Sequence, residues 1–401
     1  MVDFLALAQT YKTPLYVYDF DIISEQFMLL KEAFKAKKSL ICFAAKANSN
    51  LSVLKHMASL GAGCDCVSIN EVKRALYVGI PKYKIIFSGV GKQDDEIETA
   101  LKEDILMLNL ESEEEMKRVE AIALRLGVTA RISIRVNPNI DAKTHPYIST
   151  GLHENKFGVD IESAKRMYIH AKNASSLDPV GIHFHIGSQI TEVEPFKEAA
   201  QVIADLLRNL KALQIDIKFF DIGGGVGIRY DNEETISLYE YAQNIFKVLS
   251  GFDVTFVCEP GRYLVGNSGY FLTKVLYEKF NGQKRFVIVD GAMNDLIRPS
   301  LYGAYHEITP YNKPMTGAST CDVVGPVCES GDFLAKNIAL PPMQHDDLLI
   351  VKSAGAYGFT MSSNYNSRTR VAEVALMDGK DKLIRKRETF EDLIALEKEY
   401  V

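Results

Sequence analysis

The sequence predicts an α/β protein: a (β/α)8 TIM barrel joined to a mainly β C-terminal domain. Apolar, β-rich runs recur about eight times with helical stretches between them, and this alternation stops near residue 265. Continuous apolar strands alternating with helices are the pattern of parallel strands buried on both faces, as in a closed barrel. A doubly wound open sheet shares that alternation. The barrel is favoured by a third observation, the residues at the C-terminal ends of the runs. Lys46, Asp65, Ser88, Asn137, His185, Gly223 and Glu259 all fall there, and one barrel mouth would gather them.

The elements follow in order. Pro14-Leu15-Tyr16-Val17-Tyr18 reads as a strand that precedes the barrel and could pair with the C-terminal sheet. The eight barrel strands are expected at residues 40–47, 64–69, 84–89, 105–110, 131–137, 180–187, 218–224 and 254–260. Amphipathic segments such as 113–126 and 194–213 supply helices between them. Strands at 270–278, 285–290, 318–325, 348–352 and 370–377 follow without long helices, separated by Gly, Pro and Asn. The expected domains are therefore a cofactor-binding barrel over 22–265 and a β domain built from both chain ends, 1–21 and 266–401.

Composition narrows the function. With 46 basic and 52 acidic residues the net charge is -6, which argues against a nucleic-acid-binding surface. No apolar run has transmembrane length, and Met1-Val2-Asp3-Phe4 lacks the basic head of a signal peptide, so a cytoplasmic location is expected. Six cysteines is few for this length, and Cys64-Asp65-Cys66 is too close for a standard CxxC pair, so reduced thiols are expected.

The chemistry centres on Lys46, a cation closing the apolar run Leu40-Ile41-Cys42-Phe43-Ala44-Ala45. A lysine losing its proton near neutral pH is a nucleophile suited to Schiff-base formation with an aldehyde. Asp221-Ile222-Gly223-Gly224-Gly225 follows the seventh barrel strand, where converging backbone N–H groups can bind an anion, although a plain tight turn has the same composition. Glu259-Pro260-Gly261-Arg262 ends the eighth strand. Its carboxylate could pair with a protonated ring nitrogen and its arginine with a phosphate or carboxylate; a surface ion pair is the plainer alternative. His183 and His185, two apart, could both point into the mouth. A metallohydrolase could use such a pair, but it needs further ligands, and His56, His145, His153, His170, His306 and His345 do not sit at strand ends in this reading. Stacking of His185 on a planar cofactor fits its neighbours better, and no metal is expected.

A Schiff-base lysine, an anion cradle, a carboxylate for a pyridine nitrogen and an aromatic cover together call for pyridoxal 5'-phosphate. The chain resembles the alanine-racemase-like, fold-type III pyridoxal-phosphate decarboxylases over nearly its whole length. The resemblance is carried by Phe43-Ala44-Ala45-Lys46-Ala47-Asn48, His185-Ile186-Gly187-Ser188-Gln189, the glycine triplet and Glu259-Pro260-Gly261-Arg262. His145-Pro146-Tyr147-Ile148-Ser149-Thr150-Gly151, Lys156-Phe157-Gly158 and Gly325-Pro326-Val327-Cys328-Glu329-Ser330-Gly331-Asp332 are similar too. It implies that Lys46 holds the cofactor, with Asp65, His185, Ser188, Gly223, Gly224, Gly225, Glu259, Gly261, Arg262 and Tyr357 around it. It further implies that Arg262, Arg298 and Tyr302 grip the substrate's non-reacting carboxylate, that Glu329 reads the distal ammonium and Tyr357 touches cofactor and substrate. Cys328 would return the proton. Cys328 and Glu329 would enter the site of the opposite subunit, giving a homodimer with shared active sites.

Arg298 and Tyr302, four apart, can share one helix face and bind a carboxylate jointly. The arginine pair Arg262 and Arg298, in the role the resemblance implies for it, argues for meso-2,6-diaminopimelate as the substrate, decarboxylated to L-lysine and CO2 in the last step of lysine biosynthesis. A decarboxylase for ornithine or lysine, whose far end is a bare ammonium, should place acids there instead. A metal-dependent barrel hydrolase and a non-catalytic regulator are the rival readings from other classes.

Overall fold

The computed structural model describes residues 2–141, 150–151 and 155–401. Within the motifs read from the sequence, residues 145–149 lie outside this set, as does His153. The chain divides into two compact units: Ser24–Ile228 with Glu234–Leu264, and Met1–Ile23 with Arg229–Glu233 and Val265–Val401.

In chain order, β1 (Leu15–Asp19) belongs to the second unit and the next eight strands to the first. These are β2 (Ser39–Ala44), β3 (Gly63–Cys66), β4 (Ile85–Phe87), β5 (Met107–Leu110), β6 (Ala130–Arg135), β7 (Leu177–His183), β8 (Phe219–Asp221) and β9 (Thr255–Cys258). Each pairs in parallel with the next, and β9 returns to β2 through Ser39 opposite Phe256, so the barrel is closed. Cys42, Ile86, Leu106, Met107, Val180 and Val257 form one of its buried clusters. Apolar side chains on successive strands are thereby removed from water, the main force holding such a sheet closed.

The intervening helices start where short polar side chains satisfy free amide groups. Ser112 accepts from the amide of Glu115 at the head of the helix Glu113–Leu126, whose first turn carries three glutamates, and Gly127 ends it at φ 68. Ser68 caps Ile69–Tyr77 in the same way.

The second unit is a nine-stranded sheet. It comprises β1, β10 (Gly269–Asn281), β11 (Lys284–Val289), β12 (Ile308–Pro310), β13 (Ser319–Val324), β14 (Phe333–Leu340), β15 (Leu348–Val351), β16 (Ala372–Met377) and β17 (Lys380–Arg385). β1 lies between β10, antiparallel, and β16, parallel. Its period of two sends Leu15 and Val17 into a core with Leu272, Ile350 and Val374. On the opposite face, Tyr16 donates to the Asp295 carbonyl at 2.8 Å and Tyr18 to Glu373 at 2.7 Å, so the buried hydroxyls are satisfied.

The expected barrel runs locate every strand, but they overshoot the ends. The run 40–47 stops as strand at Ala44, and Lys46 sits in a 3-10 turn, Ala45–Ala47. Its side chain is 39% exposed, so the cation that closes this apolar run is not itself buried. Among the described residues, no helix is long and apolar enough to cross a membrane.

Candidate active site

The C-terminal ends of the barrel strands carry the polar residues that the sequence placed there. Lys46 follows β2, and its Nζ lies 3.5 Å from Oδ2 of Asp65, which is in β3 opposite Ala44. The Lys46 turn is tied to the loop after β9 by the amide of Ala44, which donates to the Pro260 carbonyl at 3.1 Å. Gly261 is required at that crossing, because a Cβ there would stand 2.9 Å from the Ala47 Cβ. Burial and then Glu259 raise the Asp65 carboxyl above its ordinary range, while Lys46 pulls it back down.

Behind this pair lies a buried corner of three titratable groups. His183 Nε2 is 3.2 Å from Oε2 of Glu259, and donor atoms of His183, Asp221 and Glu259 all lie within 4.8 Å of one another. Two adjacent buried carboxyls do not both ionise. Burial works to raise Glu259, but His183 and Lys46 prevail and hold it at about 2. Asp221 is pushed well up, by burial first and then by the Glu259 charge. The corner thus holds one carboxylate, Glu259, beside one carboxylic acid, Asp221. The sequence reading did not single out Asp221 as a site residue and looked to His183 only with His185.

The two histidines have different partners. His185 lies beyond the end of β7, and its Nδ1 accepts the Gly224 amide at 3.1 Å, so the ring carries its hydrogen on Nε2. Desolvation, followed by the Arg135 and Lys46 cations, lowers its pKa well below the ordinary histidine value and keeps it neutral. Arg135, also unread in the sequence, is buried against Glu111 at 3.0 Å and over the Phe157 ring at 4.6 Å. Glu111 in turn accepts the Gly158 amide at 2.7 Å. The Lys156-Phe157-Gly158 motif therefore supports the backbone behind His185.

The glycine loop is a backbone concavity. A Cβ on Gly224 would stand 2.2 Å from the Glu259 carbonyl, and Gly225, at φ 110, would press one to 2.5 Å from that of Gly187. Arg262, buried at the head of a four-residue helix, reaches Ser188 Oγ with its NH2 at 3.0 Å, so a fork and a hydroxyl act together.

These residues fit a pyridoxal phosphate. Buried Glu259 Oε1 has no hydrogen-bond partner among the described residues, and it is an acceptor suited to a ring N–H. Asp65 Oδ1 is orphaned likewise. Lys46 offers the amine, and the glycine loop with Ser188 and Arg262 offers anion-binding groups.

The second unit carries the remaining expected residues. Arg298 and Tyr302 bound one short helix, with Arg298 buried and Tyr302 half-buried. Arg298 NH1 bonds His306 Nε2 at 2.9 Å, a partner the sequence did not indicate. Cys328 and Glu329 lie in the loop between β13 and β14. Asp332 pins that loop, accepting the amides of Val327 at 2.6 Å and Met293 at 2.7 Å. The Cys328 amide donates to Asn366 at 3.0 Å, and its thiol is exposed, whereas the other five free cysteines are buried. Tyr365 bonds Glu329. Tyr357 holds a left-handed backbone, φ 56.

Comparison with known proteins agrees with this chemistry. Residues 20–266 match the family model described as pyridoxal-dependent decarboxylase, pyridoxal binding domain. The chain is 61% identical over 402 residues to the diaminopimelate decarboxylase of Campylobacter jejuni, covering 100% of both. It is 57% identical to that of Helicobacter pylori strain J99, covering 99% of this chain and 98% of the relative. The crystal structure of the Helicobacter pylori diaminopimelate decarboxylase complexed with L-lysine superposes with a TM-score of 0.97 at 56% identity, covering all of both chains. The chain belongs to the pyridoxal-dependent decarboxylases, among the diaminopimelate decarboxylases.

Proposed function

We propose that this protein decarboxylates meso-2,6-diaminopimelate to L-lysine and CO2 with pyridoxal 5'-phosphate, the last step of lysine biosynthesis. The observation that carries the reading is Glu259, an ionised, buried carboxylate with an open acceptor edge beside Lys46, in a chain 56% identical to a protein crystallised with L-lysine.

When bound, the cofactor supplies a π system that takes up the electron pair of the breaking C–C bond. Lys46 would hold the cofactor through its side-chain amine, which Asp65 faces at 3.5 Å. Glu259 keeps a proton on the ring nitrogen, and protonated Asp221 leaves that carboxylate as the corner's single negative charge. Neutral His185 covers one ring face without adding a cation. Ser188, Arg262 and the loop Gly223 to Gly225 bind the phosphate. Arg262, Arg298 and Tyr302 hold the carboxylate that does not react, and Tyr357 borders both cofactor and substrate. Binding energy at that remote end would orient the scissile bond for cleavage.

The active form is a homodimer, with Glu329 of the partner subunit on the distal ammonium. After CO2 departs, the thiol of Cys328 of the partner subunit gives its proton to the carbon. The exposure of Cys328 supports this assignment. A cytoplasmic location suits the reduced thiols.

The test is CO2 release by cofactor-loaded protein from meso-diaminopimelate, ornithine, arginine, lysine and carboxynorspermidine. Turnover confined to meso-diaminopimelate supports the reading, and turnover of another substrate alone overturns it. The His183, Asp221 and Glu259 cluster also has the donor set of a metal site. Metal content is therefore measured alongside; a stoichiometric ion without cofactor absorbance would replace this reading with a metallohydrolase.

A further inference from the structure

His306 is 2% exposed and engaged through both ring nitrogens. Its Nδ1 lies 2.9 Å from the Lys352 carbonyl, which can only accept, so Nδ1 carries the hydrogen. Nε2 therefore presents a lone pair, and Arg298 NH1 donates to it at 2.9 Å. Tyr230 completes the arrangement. Its ring meets the His306 ring edge-to-face at 5.4 Å and 86°, and it lies under the Arg298 guanidinium at 4.9 Å. Backbone, imidazole and phenol ring thus fix the arginine plane.

The chemistry of these supports is informative. A carboxylate at the position of His306 would orient Arg298 equally well, but it would cancel the charge needed for an anionic ligand. A neutral imidazole accepts one N–H and leaves the cation's charge intact. The same holds for the face of Tyr230.

We infer that His306, seated on Tyr230, is a positioning residue that aims Arg298 at the substrate's non-reacting carboxylate without neutralising it, and so sets the requirement for a carboxylate at that end. The inference rests on the proposed role of Arg298 in diaminopimelate recognition.

The test uses the cofactor-loaded enzyme with two inhibitors, L-lysine, which retains that carboxylate, and 1,5-diaminopentane, which lacks it. His306→Ala should raise KM for diaminopimelate and weaken L-lysine inhibition, each about ten-fold, the effect of losing one hydrogen bond to a charged group. The kcat, the cofactor absorbance and inhibition by 1,5-diaminopentane should change little. His306→Gln places an acceptor near the position of Nε2 and should recover much of the loss. The shorter His306→Asn reaches only the Nδ1 position and should not. Equal weakening of both inhibitors, or no weakening of either, overturns the inference. If His306→Ala does not fold, the Gln and Asn variants decide, and equal L-lysine inhibition in the two overturns it. A wild-type enzyme that releases no CO2 from diaminopimelate overturns the functional reading itself, before any variant is compared.

Discussion

Glu259 and Asp221 differ in charge although both are buried at the end of adjacent strands. The difference comes from neighbours: the fields of His183 and Lys46 favour the anion at Glu259, and the Glu259 charge then suppresses ionisation of Asp221. Opposite outcomes are expected for two matched substitutions. Glu259→Gln removes the charge proposed to hold a proton on the cofactor nitrogen, and CO2 release should fall at least about a hundred-fold with the protein still folded. Asp221→Asn replaces an acid that is already neutral with a neutral donor of the same shape, and activity should stay within about ten-fold of wild type. Steady-state rates of the two purified variants check this. An Asp221→Asn loss as large as that of Glu259→Gln would show that Asp221 carries charge.

At the scale of elements, the loop after β8 works by the approach of backbone to backbone. A Cβ on Gly224 would stand 2.2 Å from the Glu259 carbonyl, so Gly224→Ala must displace the loop or the glutamate it abuts. Cofactor affinity, measured by titrating the absorbance of bound pyridoxal phosphate, should fall before thermal stability does. A second element-level effect belongs to the turn before the Arg298 helix. Asp295 there accepts the Ala292 amide at 3.0 Å, and burial raises its carboxyl from 3.8 to about 6. A raised pKa means that the folded state binds the proton more tightly. The stabilisation is full below 3.8 and is lost as pH rises through about 6, a swing of up to about 3 kcal/mol. Asp295→Asn cannot ionise, so its melting temperature should gain on wild type between pH 4 and 7; parallel curves would refute the sign.

The legibility of the chain also divides by element. The parallel strands of the barrel were readable because both faces are buried and most of the runs are predominantly apolar. β17 was missed because an exposed edge strand such as Lys380-Asp381-Lys382 has no apolar alternation to read. β12, three residues long, and β14, with exposed Lys336 and Asn337, were missed for related reasons. The lysine, glycine and glutamate motifs of the site lie in short contiguous segments and were legible. Asp221, Arg135 and His306 act through partners 38, 24 and 8 residues away in sequence, Glu259, Glu111 and Arg298, and only folding reveals those pairings.

At the scale of the whole molecule, the proposed shared site makes a prediction that no single-chain property can imitate. In the proposed scheme Lys46 and Cys328 are both required, and in a dimer of that kind they serve the same site from different subunits. Lys46→Ala and Cys328→Ala homodimers should each be nearly inactive, since every site in either one lacks a necessary group. Mixed after reversible dissociation, half of the dimers should be heterodimers, and each of these has one site carrying both substitutions and one carrying neither. Activity should therefore return to about a quarter of the wild-type value at equal mixing. Sedimentation velocity on the same samples confirms that the recovered activity travels with the dimer. If each site were built within one chain, mixing would restore nothing, because every site would retain one lesion. Recovery near the statistical value identifies Cys328 as a residue supplied across the interface, while its absence confines the chemistry to a single chain and removes the homodimer from the catalytic scheme.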